Sequence, residues 1–133
     1  MKKHGILNAQ LAGLIAALGH MDTFMICDAG MPIPKGIPLV DLVLCEGVPS
    51  FAQVLNAILE ETQVEGYIAA EEIVDVNSAA WDLIRNKLSG LEQQLCSHNE
   101  LKERSKDIRF AVRTGEFSPY ANVILRAGVV FHA

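Results

Sequence analysis

Gly19-His20-Met21-Asp22-Thr23-Phe24-Met25-Ile26-Cys27-Asp28-Ala29-Gly30 starts where a helix stops and ends where a strand stops, with a titratable side chain at each junction. Thr23 to Cys27 is largely apolar and rich in strand formers, which predicts a short buried strand with His20 ahead of it and Asp28 at its carboxyl end. Gly30-Met31-Pro32-Ile33-Pro34 then turns the chain, because Gly admits positive φ and each Pro fixes φ and removes a donor. In an open α/β sheet, ligands sit where strands end and loops begin, so Asp28 with His20 one strand length away is the first candidate site. Taken alone, the pair also suits a turn or cap role for Asp28 and a helix-dipole role for His20.

Working outward, Asn8 is a predicted N-cap for a helix through Leu18, with Leu11, Leu14, Ile15 and Leu18 on one face and Gly19 past the end. Leu39 to Cys45 reads as a strand apolar on both sides, hence covered on both. Ser50-Phe51-Ala52-Gln53 matches a capping box, and Phe51, Val54, Leu55, Ile58 and Leu59 give a helical stripe ending near Thr62. Gly66 to Ala70 is a further strand ending at Glu71-Glu72, neighbours that point to opposite faces and so favour an exposed strand end over paired acid–base chemistry.

Asn77 is a candidate cap for a helix through Leu88 whose stripe is Trp81, Ile84 and Leu88, with Leu83 widening it. Gly90 breaks the pattern, Leu91 to Ser97 leads to His98 at a strand end, and Asn99 is read as the cap of a polar helix from Glu100 to Lys106. Ile108 to Val112 and Val123 to Leu125 read as strands flanking the turn-rich loop Arg113 to Asn122. Strands alternating with helices predict an α/β layered domain with a largely parallel sheet, without internal repeat or low-complexity linker.

A chain of 133 residues suits one domain, and with 50% hydrophobic and 20% charged residues it can bury a sizeable core. The mean hydropathy of +0.25 suggests more apolar surface than so small a monomer can hide, which predicts a homo-oligomer. A net charge of −5 argues against a nucleic-acid partner, since phosphate binding needs clustered Lys and Arg. Cys27, Cys45 and Cys96 form no CxxC spacing, which fits a reducing compartment. Cys96-Ser97-His98 falls short of a zinc set. Lys2-Lys3 followed by Leu11 to Leu18 superficially resembles a secretory signal, but Asn8 and Gln10 interrupt it and the apolar core is short, so the expected location is cytoplasmic, with no membrane span.

No GxGxxG follows a strand and no GxxxxGK[ST], GxSxG or HExxH occurs, which argues against dinucleotide and triphosphate chemistry. What remains is a sparse polar set, His20, Asp28, His98, Tyr120 and Asn122, near predicted element ends. Such a set suits proton transfer to a polyhydroxylated small molecule. Tyr120 also suits interface packing with a satisfied hydroxyl, and His98 a plain strand-end role.

An ordered set of segments carries a resemblance that spans nearly the whole chain. It comprises Lys2-Lys3-His4-Gly5-Ile6-Leu7-Asn8, the His20, Asp22 and Asp28 spacing, Gly30-Met31-Pro32-Ile33-Pro34, Val40-Asp41-Leu42, Pro49-Ser50-Phe51, Ala70-Glu71-Glu72, and Arg113-Thr114-Gly115-Glu116 through Pro119-Tyr120-Ala121-Asn122-Val123-Ile124-Leu125 to Gly128. The chain resembles the D-ribose pyranases, sugar mutarotases related to the fucose mutarotases. The resemblance implies a single sugar mutarotase domain over residues 1–133 with a three-layer α/β/α Rossmann-like fold and a mainly parallel sheet. It further implies a ring-shaped homo-oligomer, a decamer, acting in the cytoplasm without metal or cofactor to interconvert pyranose and furanose forms of D-ribose. His20 falls on the family's proton donor, and Asp28, His98 and Tyr120, Ala121 and Asn122 fall on its substrate-binding positions. Met21 and Met31 depart from the residues expected beside those motifs. The rival expectations are a fucose-type mutarotase and a non-catalytic sugar-binding oligomer.

Overall fold

The computed structural model describes residues 1–132 as a six-stranded sheet with helices on both faces. The strands are β1 (Thr23–Cys27), β2 (Leu39–Asp41), β3 (Val64–Ala70), β4 (Glu92–Cys96), β5 (Ala111–Arg113) and β6 (Val123–Ala127), in the spatial order β2-β5-β1-β6-β3-β4. Pairings β1–β5, β2–β5 and β3–β4 are parallel, whereas β6 runs antiparallel to both β1 and β3. Five strands therefore share one direction and β6 alone is reversed. The expected mainly parallel three-layer α/β architecture holds, with this one inversion.

Side-chain alternation along β1 sets the two cores. Phe24 and Ile26 face a layer supplied by α1 (Ala9–Ala16), α2 (Phe51–Glu61), α3 (Glu72–Val76) and α4 (Ser78–Lys87). Met25 and Cys27 face a thinner layer supplied by α5 (His98–Arg104) and the loop around Met31, Ile33 and Ile37. The helices start where local chemistry directs. Asn8 accepts from the Leu11 amide at 2.9 Å. Ser50 and Gln53 close a reciprocal capping box at 3.1 and 2.9 Å, a device whose cap alone is worth about 1 kcal/mol. Phe51, Leu55 and Ile58 of α2 are fully buried, and each such side chain contributes roughly 1.5–3 kcal/mol. No helix among the described residues is long and apolar enough to cross a membrane.

Several boundaries differ from the sequence reading. The strand expected over Leu39 to Cys45 stops at Asp41: β2 is the edge strand, Val40 is its one buried residue, and beyond Asp41 the chain leaves the sheet, with Leu44 79% exposed. Glu71 is exposed at the end of β3 as expected, but Glu72 opens α3, a five-residue helix too short to show periodicity. Helix α5 begins at His98, not Glu100, and its cap is Ser97, which accepts from the Glu100 amide at 3.1 Å, not Asn99. Strand β5 starts three residues later than expected, at Ala111. Helix α1 ends two residues before Leu18, and Met21, not Gly19, takes the positive φ that follows.

Candidate functional site

The parallel strands point their carboxyl ends at one edge of the sheet, and reversed β6 begins there. Asp28 leaves β1, Glu72 follows β3, His98 follows β4, Thr114 follows β5, and Tyr120-Ala121-Asn122 leads into β6. Four residues singled out from the sequence, Asp28, His98, Tyr120 and Asn122, thus meet at one edge although 94 positions separate Asp28 from Asn122.

Asn122 is the clamp. Its side chain is fully buried, Oδ1 accepts the Asp28 backbone N–H at 2.8 Å, and Nδ2 donates to Asp28 Oδ2 at 3.0 Å. Asp28 Oδ1 accepts the Gly30 amide at 2.9 Å, which closes an Asx turn and fixes the carboxylate. One lone pair on each oxygen is left for a ligand. Asn122 therefore acts on the site chiefly by holding Asp28, while buried Ala121 contributes backbone.

Tyr120 sits at φ 59°, a conformation that costs a bulky residue about 1–2 kcal/mol and persists only where its surroundings enforce it. The Asn122 amide donates to the Tyr120 carbonyl at 2.8 Å. Asn77, whose Oδ1 caps α4 through the Ala80 amide, turns its Nδ2 to Ser118 Oγ at 2.9 Å and the Pro119 carbonyl at 2.8 Å. A helix cap thereby also anchors the loop that presents Tyr120. The other end of that loop is tied by Glu116, whose carboxylate accepts the Phe51 amide at the start of α2 and both the amide and hydroxyl of Ser118. Burial pushes the Glu116 pKa up, but these donors together hold it below the usual carboxylate range. Thr114, also buried, donates its hydroxyl to the Cys27 carbonyl at 2.8 Å. Gly115 lets the loop pass against Val48: a Cβ there would lie 2.5 Å from the Val48 carbonyl oxygen.

His98 packs edge-on against Tyr120, with ring centroids 5.1 Å apart. Its backbone N–H donates to both oxygens of Glu72, at 3.0 and 3.1 Å, which holds the Glu72 carboxyl below its usual range. Burial and the Lys102 cation push the His98 imidazole below its ordinary pKa, against the pull of Glu72 and Asp28, so the ring is neutral at neutral pH. Its Nδ1 is buried and without a hydrogen-bond partner among the described residues. Beside Asp28 a cleft of ≈ 350 Å³, lined by Asp28, Ala29, Gly30, Glu116, Phe117, Ser118 and Pro119, falls in the size range of small-molecule sites. Cys27 offers no nucleophile to it: burial pushes its thiol to about 12.

His20 lies elsewhere. It precedes β1 while Asp28 follows it, so five residues of strand, roughly 16 Å at about 3.3 Å per residue, separate the two within one chain. The imidazole is half exposed, Nε2 is 3.0 Å from Glu65 Oε2, and a second cleft of ≈ 350 Å³ adjoins it. Asp28 and His20, read from the sequence as one candidate site, do not meet within a protomer. Of the two methionines that depart from the motifs, Met21 adopts φ 71° beside His20 and Met31 is buried under the sheet near Asp28. Sequence reasoning missed Glu72, Asn77 and Glu116 as supports of the site. The cap at Asn77 is legible in the sequence, but not its second task of anchoring the loop at Ser118 and Pro119. Among the described residues, no three His, Cys, Asp or Glu side chains are grouped to hold a metal ion.

Residues 1–130 match the model of the RbsD / FucU transport protein family. The chain is 55% identical to D-ribose pyranase 2 of Streptomyces griseus over 131 residues, which is 98% of this chain and 100% of the relative. It is 52% identical to D-ribose pyranase 1 of Rubrobacter xylanophilus over the same length. The fold superimposes on that of Bacillus subtilis RbsD complexed with D-ribose with a TM-score of 0.95 at 47% identity, covering 98% of this chain and 100% of the other. It superimposes on the Streptococcus pneumoniae fucose mutarotase in complex with L-fucose with a TM-score of 0.80 at 26% identity, covering 98% and 100%.

Proposed function

Because the chain belongs to the RbsD / FucU transport protein family, we propose that it is a D-ribose pyranase, a one-domain isomerase that interconverts the pyranose and furanose forms of D-ribose. The observation that carries the reading is the carboxyl-edge cluster: a fixed carboxylate, a neutral imidazole with an unpaired buried nitrogen, and a tyrosine hydroxyl. A carboxylate, an imidazole and a phenol are groups that bond sugar hydroxyls. In this reading Asp28, His98 and Tyr120 touch the sugar, Ala121 shapes the wall, and Asn122 acts through Asp28.

Ring exchange needs one proton delivered and one removed. The C1 to ring-oxygen bond breaks, its electron pair stays on the ring oxygen, and a proton from His20 turns that oxygen into a hydroxyl. The anomeric O–H electrons form the aldehyde C=O, and the released proton passes to the free lone pairs of Asp28 or through them to water. Reclosure through a different hydroxyl runs the same steps backwards. Positioned acid–base help of this kind contributes roughly 10²- to 10⁴-fold.

His20 and Asp28 lie at opposite ends of β1, so the complete site takes His20 from a neighbouring copy. Exposed apolar residues support an assembly that covers them: Leu44 is 79% exposed, Val130 68% and Phe131 86%. We read this as the ring-shaped decamer expected of the family, acting in the cytoplasm. Magnetisation-exchange NMR on equilibrated D-ribose tests the function: catalytic amounts of protein speed pyranose–furanose exchange, and speed it more than exchange among L-fucose anomers. Saturable ribose binding without acceleration would replace the enzyme with a sugar-binding oligomer.

A further inference from the structure

The edge of the sheet opposite the cluster holds a row of charges that starts at His20. His20 Nε2 contacts Glu65 Oε2 at 3.0 Å; Glu65 Oε1 accepts from Arg126 Nε at 3.0 Å; Arg126 Nη2 donates to Glu92 Oε2 at 2.7 Å. The row runs across β3, β6 and β4 at their adjoining ends, so the sheet itself spaces it. The Arg126 guanidinium lies over the Gly66 backbone, where a Cβ would be 2.7 Å from Nη2 and 3.0 Å from Cζ. His20, by contrast, sits on the exposed turn that carries Met21 at φ 71°, with nothing but Glu65 in hydrogen-bond contact with its ring among the described residues.

We infer that Glu65 is the positioning residue of His20, held in place by Arg126, so that the proton given to the sugar is the one on Nδ1. The inference rests on the acid role assigned to His20 above. With Nε2–H donating to Glu65, the neutral ring is fixed as the Nε2–H tautomer, and Nδ1 keeps a lone pair that no described residue hydrogen-bonds. Protonation adds a proton at Nδ1, which that nitrogen passes to the ring oxygen as the C1–O bond opens. Nδ1 recovers its lone pair and the Nε2–H bond to Glu65 is unbroken throughout. Glu65 shares its second oxygen with a guanidinium: the hydrogen bond from His20 is the largest influence, and with the bond from Arg126 it outweighs the cost of burial and holds the Glu65 pKa below the usual range.

The test uses the full chain and two readouts. Long-range ¹H–¹⁵N correlation spectra of the imidazoles report the His20 tautomer, and magnetisation exchange on D-ribose reports turnover. Wild type should show Nε2–H on His20. Glu65→Ala should show a mixture of tautomers and lose roughly tenfold to 10²-fold in kcat with KM for ribose little changed, the scale of effect expected when a reacting group is misplaced. Glu65→Gln keeps an acceptor for Nε2–H, so it should retain the tautomer and lose less. Arg126→Gln frees Glu65 and should fall between the two. Wild-type tautomer and kcat in Glu65→Ala, with His20→Ala inactive, would overturn the positioning role and leave the acid role standing. Full activity in His20→Ala would instead overturn the acid role, and the positioning role with it.

Discussion

Removing the Asn122 side chain should both destabilise the fold and disable the carboxyl-edge site. In Asn122→Ala the Asp28 amide loses its 2.8 Å acceptor and the Asp28 carboxylate its 3.0 Å donor, in a place with no solvent access to Asn122 itself. An orphaned amide costs about 1–3 kcal/mol and a lost bond to a charged group about 1.5–3 kcal/mol. Asp28 is itself only half-buried, so water recovers part of this, and the net loss is about 2–4 kcal/mol. At about 3–5 °C per kcal/mol for a chain of this size, Tm should fall by roughly 6–20 °C. Thermal unfolding followed by circular dichroism, at fixed protomer concentration, measures it, and ribose exchange should fall in the same variant. Asn122→Asp gives the sign a second check, because it sets a second carboxylate against Asp28 in a buried site. Such a pair shares one proton, so this variant should lie nearest wild type in mild acid and weaken as pH rises. A Tm within about 2 °C of wild type for Asn122→Ala, with ribose exchange intact, would refute the clamp.

Other outcomes follow from the same structure. Gly115→Ala forces a Cβ to within 2.5 Å of the Val48 backbone, and overpacking of this kind should cost about 1–3 kcal/mol in urea unfolding and slow ribose exchange by displacing Glu116. The lowered pKa of His98 means that the folded state resists its protonation. Its contribution to stability is present above the ordinary histidine value near 6.5 and is lost as pH falls toward the lowered folded value. Glu72 and Glu116 add a second loss below the ordinary glutamate value of 4.5, so urea midpoints should decline in two stages on acidification. A His98→Gln chain that kept the upper stage would count against the assignment.

What could be read from the sequence was what short-range chemistry decides. The caps at Asn8, Ser50 and Asn77 and the buried strand Thr23–Cys27 all stand where local signals put them. Leu39 to Cys45 misled because an apolar pattern cannot tell a central strand from an edge strand that leaves the sheet after three residues. Helix α3 is shorter than two helical turns, and Ser97 and Asn99 compete as caps with nothing local to choose between them. The reversal of β6 depends on where the preceding loop crosses the sheet, a tertiary matter that strand pattern does not encode. The members of the site were legible as polar residues at element ends, but their partners were not, since Asp28 meets Asn122 across 94 positions. The separation of His20 from Asp28 was implicit in the strand length between them. Its consequence appears only once the sheet shows that each belongs to a different cluster.

The most direct test of the account is ribose exchange by mixed assemblies. Chains carrying His20→Ala and chains carrying Asp28→Asn are each inactive by the mechanism above, and equal amounts are unfolded and refolded together before magnetisation-exchange NMR on D-ribose. If each site pairs His20 of one copy with Asp28 of another, random mixing leaves roughly a quarter of sites intact, and about that fraction of wild-type exchange should return. Exchange no faster than in either parent, from mixtures shown by mass spectrometry to contain both chains, would contradict a site completed between copies.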